Sequence, residues 1–453
     1  MITKFLKAGI FMMALAMAPF CLTSCSDDDN GDESSSSSSD SSSSDDTSSA
    51  QIALIKSLTE VYLDDVVYET YGDMADATSD LFDLIDAFNT KLQAGTAVTQ
   101  SEVDAICDKY KEARKYWEQT EAFLYGAASD FNIDPHIDSW PLELETLAAV
   151  LSNSAAIEEM SNTDADEAIS YARATFTAEG ELGFHGIEFI FFRDGDSRDV
   201  SVFNNNQEES YEQYFSSVSV TAQAEVIYAR AAAGDLRDRT YQMEVAWAGD
   251  EADSEHVSRA NAILSELGAD GGLTTATGNY YGADLLLAGT DASTLAPSSW
   301  YKVMEIILVD GCSNICAEVA DQKMGQAYRA YTGTGSEEDD PNYIESPYSY
   351  NSYTDFYNNI VSIQNALYGN IEASTGAYDS ESVMAYLATY HSAEATTLQT
   401  KLTAALEALQ DCIDSGTPFV QNPAASCVAT AMEAVNDLDN ELNIASNLIL
   451  TGE

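Results

Sequence analysis

Gly183-Phe184-His185-Gly186-Ile187-Glu188 is the segment whose residue types and spacing point most directly to chemistry. On a helix, a three-residue step puts the His185 imidazole and the Glu188 carboxylate on one face, near enough to share a metal ion or a proton. Gly183 and Gly186 leave room for another backbone or a ligand to come close. The apolar run Phe189-Ile190-Phe191-Phe192 behind them is expected to be buried, anchoring the pair on a rigid element. Two residues are not a complete metal site, and a core histidine satisfied by a neighbouring carboxylate has the same spacing. His136, His256 and His391 stand isolated and read as surface or packing residues. The chain has no HExxH, GxSxG, P-loop or CxxC, which excludes a thermolysin-type zinc site, a nucleophile elbow and a Walker phosphate cradle.

The elements that must position this pair read as helices. Leu54, Ile55, Leu58, Val61 and Tyr62 repeat at three and four residues, as do Leu81, Leu84, Ile85 and Phe88. Gly95-Thr96 breaks the pattern. Ser101, with Glu102 and Asp104 behind it, marks a helix start, because acids in a first turn meet the positive end of the dipole. That helix is expected to run to about Tyr125 and end at Gly126. An ordered loop is expected next, around Asp138-Ser139-Trp140-Pro141. Further helices are expected from Leu142, over 208–247, 251–267, 300–331, 353–368, 381–411 and 426–448. Only 8 prolines interrupt the chain, and no alternating strand set is visible. The spacing therefore predicts an all-α protein of antiparallel bundles, with an N-terminal bundle over 50–205 and a C-terminal bundle over 206–453. Ala122-Phe123-Leu124-Tyr125-Gly126 and Ala366-Leu367-Tyr368-Gly369 echo each other, which suits two helical halves on one plan.

The chain carries 19 basic and 76 acidic residues, a formal charge of −57, which repels phosphate backbones and excludes nucleic acid as a partner. Hydrophobic residues make up 45%, enough to bury real cores. Lys4 and Lys7 ahead of an apolar run, too short to span a bilayer, read as a signal peptide over 1–24. Leu22-Thr23-Ser24-Cys25 resembles the lipobox of bacterial lipoproteins, so Cys25 is the expected lipidation site and its acyl chains the membrane anchor. Residues 25–49 read as a lipidated cysteine and a disordered Ser/Asp tether, with nothing apolar to offset chain entropy. Ser26-Asp27-Asp28-Asp29 looks like an acidic export tag, pointing to the outer face of the outer membrane; a spacer on a periplasmic lipoprotein is the other reading. Of the remaining cysteines, Cys412 and Cys427 flank a Gly/Pro loop and are the expected disulfide, although spacing does not fix the connectivity.

Four ordered blocks resemble the imelysin-like proteins. These are Arg114 through Gly126, with Arg114, Trp117, Glu121 and Phe123; Ser139-Trp140-Pro141-Leu142; the GxHxxE motif at 183–188; and Glu345-Ser346-Pro347-Tyr348-Ser349-Tyr350-Asn351 continuing to Asp355, Asn358, Ile360 and Gly369. The resemblance implies two helical bundles with the motif near their meeting, and a function named for iron or for proteolysis. A metallopeptidase needs about three protein ligands, an open position and a base, and one histidine with one glutamate falls short of that. With Glu121 added, His185 and Glu188 become one nitrogen and two carboxylates, a set suited to iron, with zinc or calcium as alternatives.

The other matched residues carry two readings each. Trp140 either plugs a loop or forms a ligand platform, and Arg114 either holds an anion or pairs with Glu118 one turn on. Ser346, Ser349 and Asn351 either cap and turn the chain or, with Asp355 and Asn358, line a ligand cleft. The reading with most support is a cell-surface lipoprotein that binds a metal ion or metal-bearing ligand between two bundles, linked to iron uptake beside a TonB-type receptor. A metal-dependent peptidase and a structural, glycan- or partner-binding surface protein are the alternatives.

Overall fold

Amphipathic helices of this length bury their apolar stripes against one another, and the chain does so in two groups joined along a seam. The computed structural model describes residues 41–451 apart from 179, 269–271 and 372–376. The expected signal peptide, the lipobox-like segment with Cys25 and the first part of the expected tether lie outside the described residues. We label the main helices α1 (Ser41–Tyr62), α2 (Glu69–Gln93), α3 (Gln100–Glu118), α4 (Ala165–Thr175), α5 (Phe184–Phe191), α6 (Ala222–Ala248), α7 (Ser352–Tyr368), α8 (Ser392–Asp414) and α9 (Ser426–Thr451). The fold is all-α. Among the described residues one two-stranded antiparallel hairpin, Phe192–Arg193 with Asp196–Ser197, succeeds α5.

The first group is built on α6, which packs against α2, α4 and α5, while α2 also packs against α3. Helix α6 is buried along nearly its whole length. It lies beyond residue 206 in the sequence, yet its partners lie before it, so helices from both sides of that position share one core. The second group joins α7, α8, α9 and the helical segment 301–332. Across the seam, α7 packs on α3, and the turn after α3 packs on residues 306–313.

Several elements depart from the periodicity. Helix α1 begins at Ser41, inside the expected tether, since extending a helix from turns anchored at Ile55 and Leu58 costs less than nucleating one. Helix α3 starts at Gln100 rather than Ser101, because Thr99 and Glu102 form a reciprocal capping box. It ends at Glu118, not near 125. The Thr120 N–H and hydroxyl both take the Trp117 carbonyl, and the Ala122 N–H donates to the Ser362 hydroxyl of α7. The chain then passes into a 3₁₀ turn, Glu121–Phe123.

Residues 208–221 do not continue into α6 as one helix. Glu208 bridges Thr221 antiparallel, and Thr221 caps α6 through the Ala224 N–H. The expected helix 381–411 is broken at His391 into Val383–Tyr390 and α8. The segment 301–332 is helical throughout most of its length but contains two π-helical stretches, Ile306–Ser313 and Glu318–Lys323. The expected Cys412–Cys427 disulfide is absent: both are free thiols, with their side chains in hydrogen-bonding contact.

Candidate metal centre at the bundle seam

The motif helix α5 opens on Gly183, whose φ of +103° only glycine adopts without strain. A Cβ there would stand 2.3 Å from the Ile137 carbonyl oxygen, so the glycine lets the loop carrying Asp138 lie directly against the motif. At Gly186 a Cβ would meet the Tyr228 hydroxyl of α6 at 2.4 Å. The two glycines thus press α5 between α6 and the Asp138 loop, and every residue of α5 is buried.

His185 bridges two carboxylates. Its Nε2 lies 3.1 Å from Asp138 Oδ1 and its Nδ1 3.3 Å from Glu188 Oε2. Burial opposes a charged ring, but the hydrogen bonds to Asp138 and Glu188 outweigh it and lift the pKa to about 9. Both ring nitrogens then carry protons and donate at neutral pH. Glu188 is held from the other side of the seam: its Oε1 accepts the Tyr348 N–H (3.1 Å), the Ser349 N–H (2.8 Å) and the Ser349 hydroxyl (2.7 Å). Asp138 also accepts from Trp117 Nε1 (2.7 Å) and from Arg114. Burial raises its pKa, yet the Arg114 guanidinium and His185 bring it below the usual carboxylate range.

Arg114, wholly buried, reaches Asp138, Glu118 and Glu345 at ion-pair distance, with Asp355 Oδ2 3.8 Å from its Nε. Lys323, also buried, faces Glu118 (3.5 Å), Glu121 (3.3 Å) and Glu345 (3.3 Å). The cluster therefore holds Asp138, Glu118, Glu121, Glu188, Glu345 and Asp355 against Arg114, Lys323 and His185. Protons take up part of that excess: burial and the neighbouring acids push Asp355 up to about 7 and drive Glu121 and Glu345 well above their ordinary values. Glu345 Oε2, fully buried, has no hydrogen-bond partner, and neither does Asn359 Oδ1. A buried acceptor left unpaired costs about 1–3 kcal/mol, more when charged.

Among the described residues two groups of donors stand close enough to share an ion: Asp138, His185 and Glu345, and Glu118, Glu345 and Asp355, each with donor atoms within 4.8 Å of one another. Of the set read from the sequence, His185 and Glu188 are brought together, and Glu121 does not join them. Glu188 is taken up by the 348–349 backbone. Glu121 sits on the 3₁₀ turn three residues past the end of α3, where Lys323 holds it.

A cleft of about 530 Å³ opens on the cluster, lined among others by Glu121, Asp134, Asp138, Trp140, Glu318 and Lys323. Asp138, Glu121 and Lys323 belong to both cluster and cleft wall, and Asp138 also bonds His185. Burial and the nearby Asp138 and Glu318 raise Asp134 to about 7. Trp140, partly exposed, forms a cleft wall against Tyr343, ring centroids 4.3 Å apart, rather than a plug. Asp310, Asn314, Glu318 and Lys323 reach the cleft from the 301–332 segment with spacings of four, four and five. The five-residue step crosses the second π-helical stretch, whose wider turn returns Lys323 to the same face.

The imelysin family model (peptidase M75) matches residues 67–444. The chain belongs to the imelysin family. It is 28% identical over 141 residues to iron-regulated protein A of Synechococcus elongatus, a match covering 31% of this chain and only 33% of that protein's length. Its fold is similar to that of a protein described as an iron-regulated protein A precursor from Parabacteroides distasonis (TM-score 0.65, 22% identity, 87% of this chain and 95% of that one). An imelysin-like protein from Psychrobacter arcticum is similar at a TM-score of 0.51 and 14% identity, over 88% and 93% of the two chains.

The remaining residues singled out in the sequence fall around the same seam. Arg114 pairs with Glu118, as one of its two readings has it, but with three more carboxylates besides. Ser349 holds Glu188, and Ser346, at φ +48°, lies against the Asp355 carboxylate. Asn351 donates to Asp355 Oδ1 at 2.6 Å. Asn358 accepts from Gln119 at 2.8 Å, tying α7 to the end of α3 away from the imidazole. Sequence reasoning missed Asp138, Glu118, Glu345 and Lys323 as members of the site. Lys323 had no distinguishing signal in the sequence, since its helical segment also carries Lys302 and Arg329.

Proposed function

We propose that this imelysin-family protein captures a metal cation, iron first with zinc or calcium as alternatives, in the cleft at the bundle seam. The observation that carries the reading is the charge deficit: six buried or nearly buried carboxylates meet three cationic side chains, and a fully buried oxygen of Glu345 is left without a partner. Carboxylates with one imidazole, which releases a ring proton in order to bind, form a donor set that suits iron better than a structural zinc. Arg114 already lies among the oxygens, so the donors open to an ion are those it leaves, Glu345 Oε2 first among them. The name of the cyanobacterial relative, iron-regulated protein A, favours iron. In the same reading Cys25 anchors the protein by its lipid to the outer membrane, displayed on the surface and working beside a TonB-type receptor. No helix among the described residues is long and apolar enough to cross a membrane. The peptidase alternative gains nothing from Glu188, whose oxygens are already engaged by His185 and the Tyr348–Ser349 backbone and so are not free to act as a base.

Calorimetric titration of the mature protein with Fe(II), Zn(II) and Ca(II), alongside His185→Ala and Glu345→Gln, tests the proposal. We expect Fe(II) to bind the parent protein and both variants to lose at least about tenfold in affinity, one donor's worth. Equal titrations for parent and variants, or no heat with any cation, would remove the site.

A further inference from the structure

The two basic residues inside the cluster are held very differently. Arg114 is clamped by close contacts to three carboxylates from a regular stretch of α3, its guanidinium carbon 5.2 Å from the Phe184 ring centre. Lys323 hangs from the end of a π-helical stretch, and its three carboxylate contacts measure 3.3, 3.3 and 3.5 Å. Charge-assisted N–H···O bonds normally close to about 2.7–2.9 Å. The ammonium thus stands in a cage wider than it needs, with the unpartnered Glu345 Oε2 belonging to one of the caging residues. Its fourth neighbour is the Trp140 ring, 5.9 Å away on the cleft wall. A lysine is a point charge on a flexible stem, free to turn by rotamer changes alone, whereas moving the clamped arginine would break several close bonds at once.

We propose that Lys323 is a built-in stand-in for an exchangeable divalent cation. The incoming ion takes Glu118 and Glu345, and the lysine ammonium withdraws into the cleft beside Glu121 and Glu318. The inference rests on the reading that the seam takes a cation, and adds how the empty site stays folded. Without an ion, the ammonium keeps the carboxylates from repelling one another. With an ion, the same charge swings out, and ion and lysine compete for the same oxygens. Glu318 faces the cleft and is close enough to act on Lys323 electrostatically, so the displaced charge has a destination. The partners on Glu118 that remain through the exchange are Arg114 and the Asn359 amide of α7.

Two experiments on the full mature protein test this. In the first, Mn(II) binding is compared for the parent, Lys323→Gln and Lys323→Met, with folding checked by thermal melting. Removal of the competitor is expected to tighten binding by roughly tenfold, within the usual range of a coupling between two sites. Unchanged or weaker binding in folded variants overturns the proposal while leaving cation capture itself standing. In the second, amines of the unmutated protein are labelled and read by mass spectrometry with and without Mn(II). Lys323, only 1% exposed at its side chain, should resist labelling without the ion and react once the ion is present. Equal or lower labelling with bound ion overturns the exchange. Absence of Mn(II) binding to both parent and variants strikes at the capture reading and removes this inference with it.

Discussion

Two of the buried charge clusters among the described residues are balanced in opposite senses. In the first bundle Asp235 and Asp238 of α6 are surrounded by His136, Arg173, Arg237, Arg239 and Arg259. Asp238 alone takes bonds from Arg173, Arg237 and Arg259. Burial raises the Asp235 pKa, but His136 and the arginines carry it well below the ordinary value. At the seam the ratio is reversed, with more carboxylates than cations, raised acid pKa values and an unpaired oxygen. A chain with only 19 basic residues gathers four arginines around two aspartates and leaves the seam short. The deficit at the seam is therefore local to that site. The first cluster is a structural knot, and the second is a place where positive charge is wanting.

The largest effect expected from this contrast is on stability. Arg173→Met removes a buried charge-assisted hydrogen bond from each of Asp235 and Asp238 and should cost about 2–3 kcal/mol in chemical denaturation. Glu345→Gln replaces an acid whose charge burial and neighbouring carboxylates already disfavour and should change stability by less than about 1 kcal/mol, or raise it. A seam variant that unfolds the protein while the Arg173 variant is tolerated would invert the comparison.

The clusters should also separate in pH. His185 is raised from 6.5 to about 9, so its contribution is full below pH 6.5 and lost as pH climbs through 9; its size is about 3 kcal/mol. Asp355, raised to about 7, pulls in the same direction between pH 4 and 7. Asp235 is lowered, so its contribution is present above about pH 4 and disappears only in stronger acid. Denaturation across pH 5–9 should show stability falling with rising pH, and His185→Gln should flatten the upper part of that slope. An unchanged slope in the variant would detach His185 from the seam's electrostatics. The smallest effect concerns the link across the seam. Ser349→Ala removes one of three hydrogen bonds on Glu188 Oε1 and should cost about 1 kcal/mol, since two backbone N–H groups remain.

Much of the fold and part of the site are legible in the sequence. The all-α fold comes from apolar spacing such as Leu81, Leu84, Ile85 and Phe88. The joining of His185 and Glu188 on one face comes from a three-residue step. The hidden part depends on contacts between distant segments. Glu118 and Lys323 are 205 positions apart, and no local pattern announces that they meet. Glu121 falls outside the ligand group expected for it because the helix stops at Glu118, where groups from α7 capture the backbone. The π-helical stretches behind Asp310, Glu318 and Lys323 insert wider turns into a continuous helical segment, and a 3.6-residue periodicity does not reveal them. The break in the helical pattern after 208 escapes notice because it is set by pairing between separated residues, the Glu209 N–H donating to the Val220 carbonyl and the Ala222 N–H to the Gln207 carbonyl.

The most direct test of cation capture at the seam is an anomalous difference map at the iron absorption edge, from crystals of the mature protein grown with Fe(II). A peak is expected at ligand distance from Glu345, with His185 and Asp138 or Glu118 and Asp355 as its neighbours. A map with no density above noise at the seam, from crystals whose iron appears at other positions, would contradict capture there.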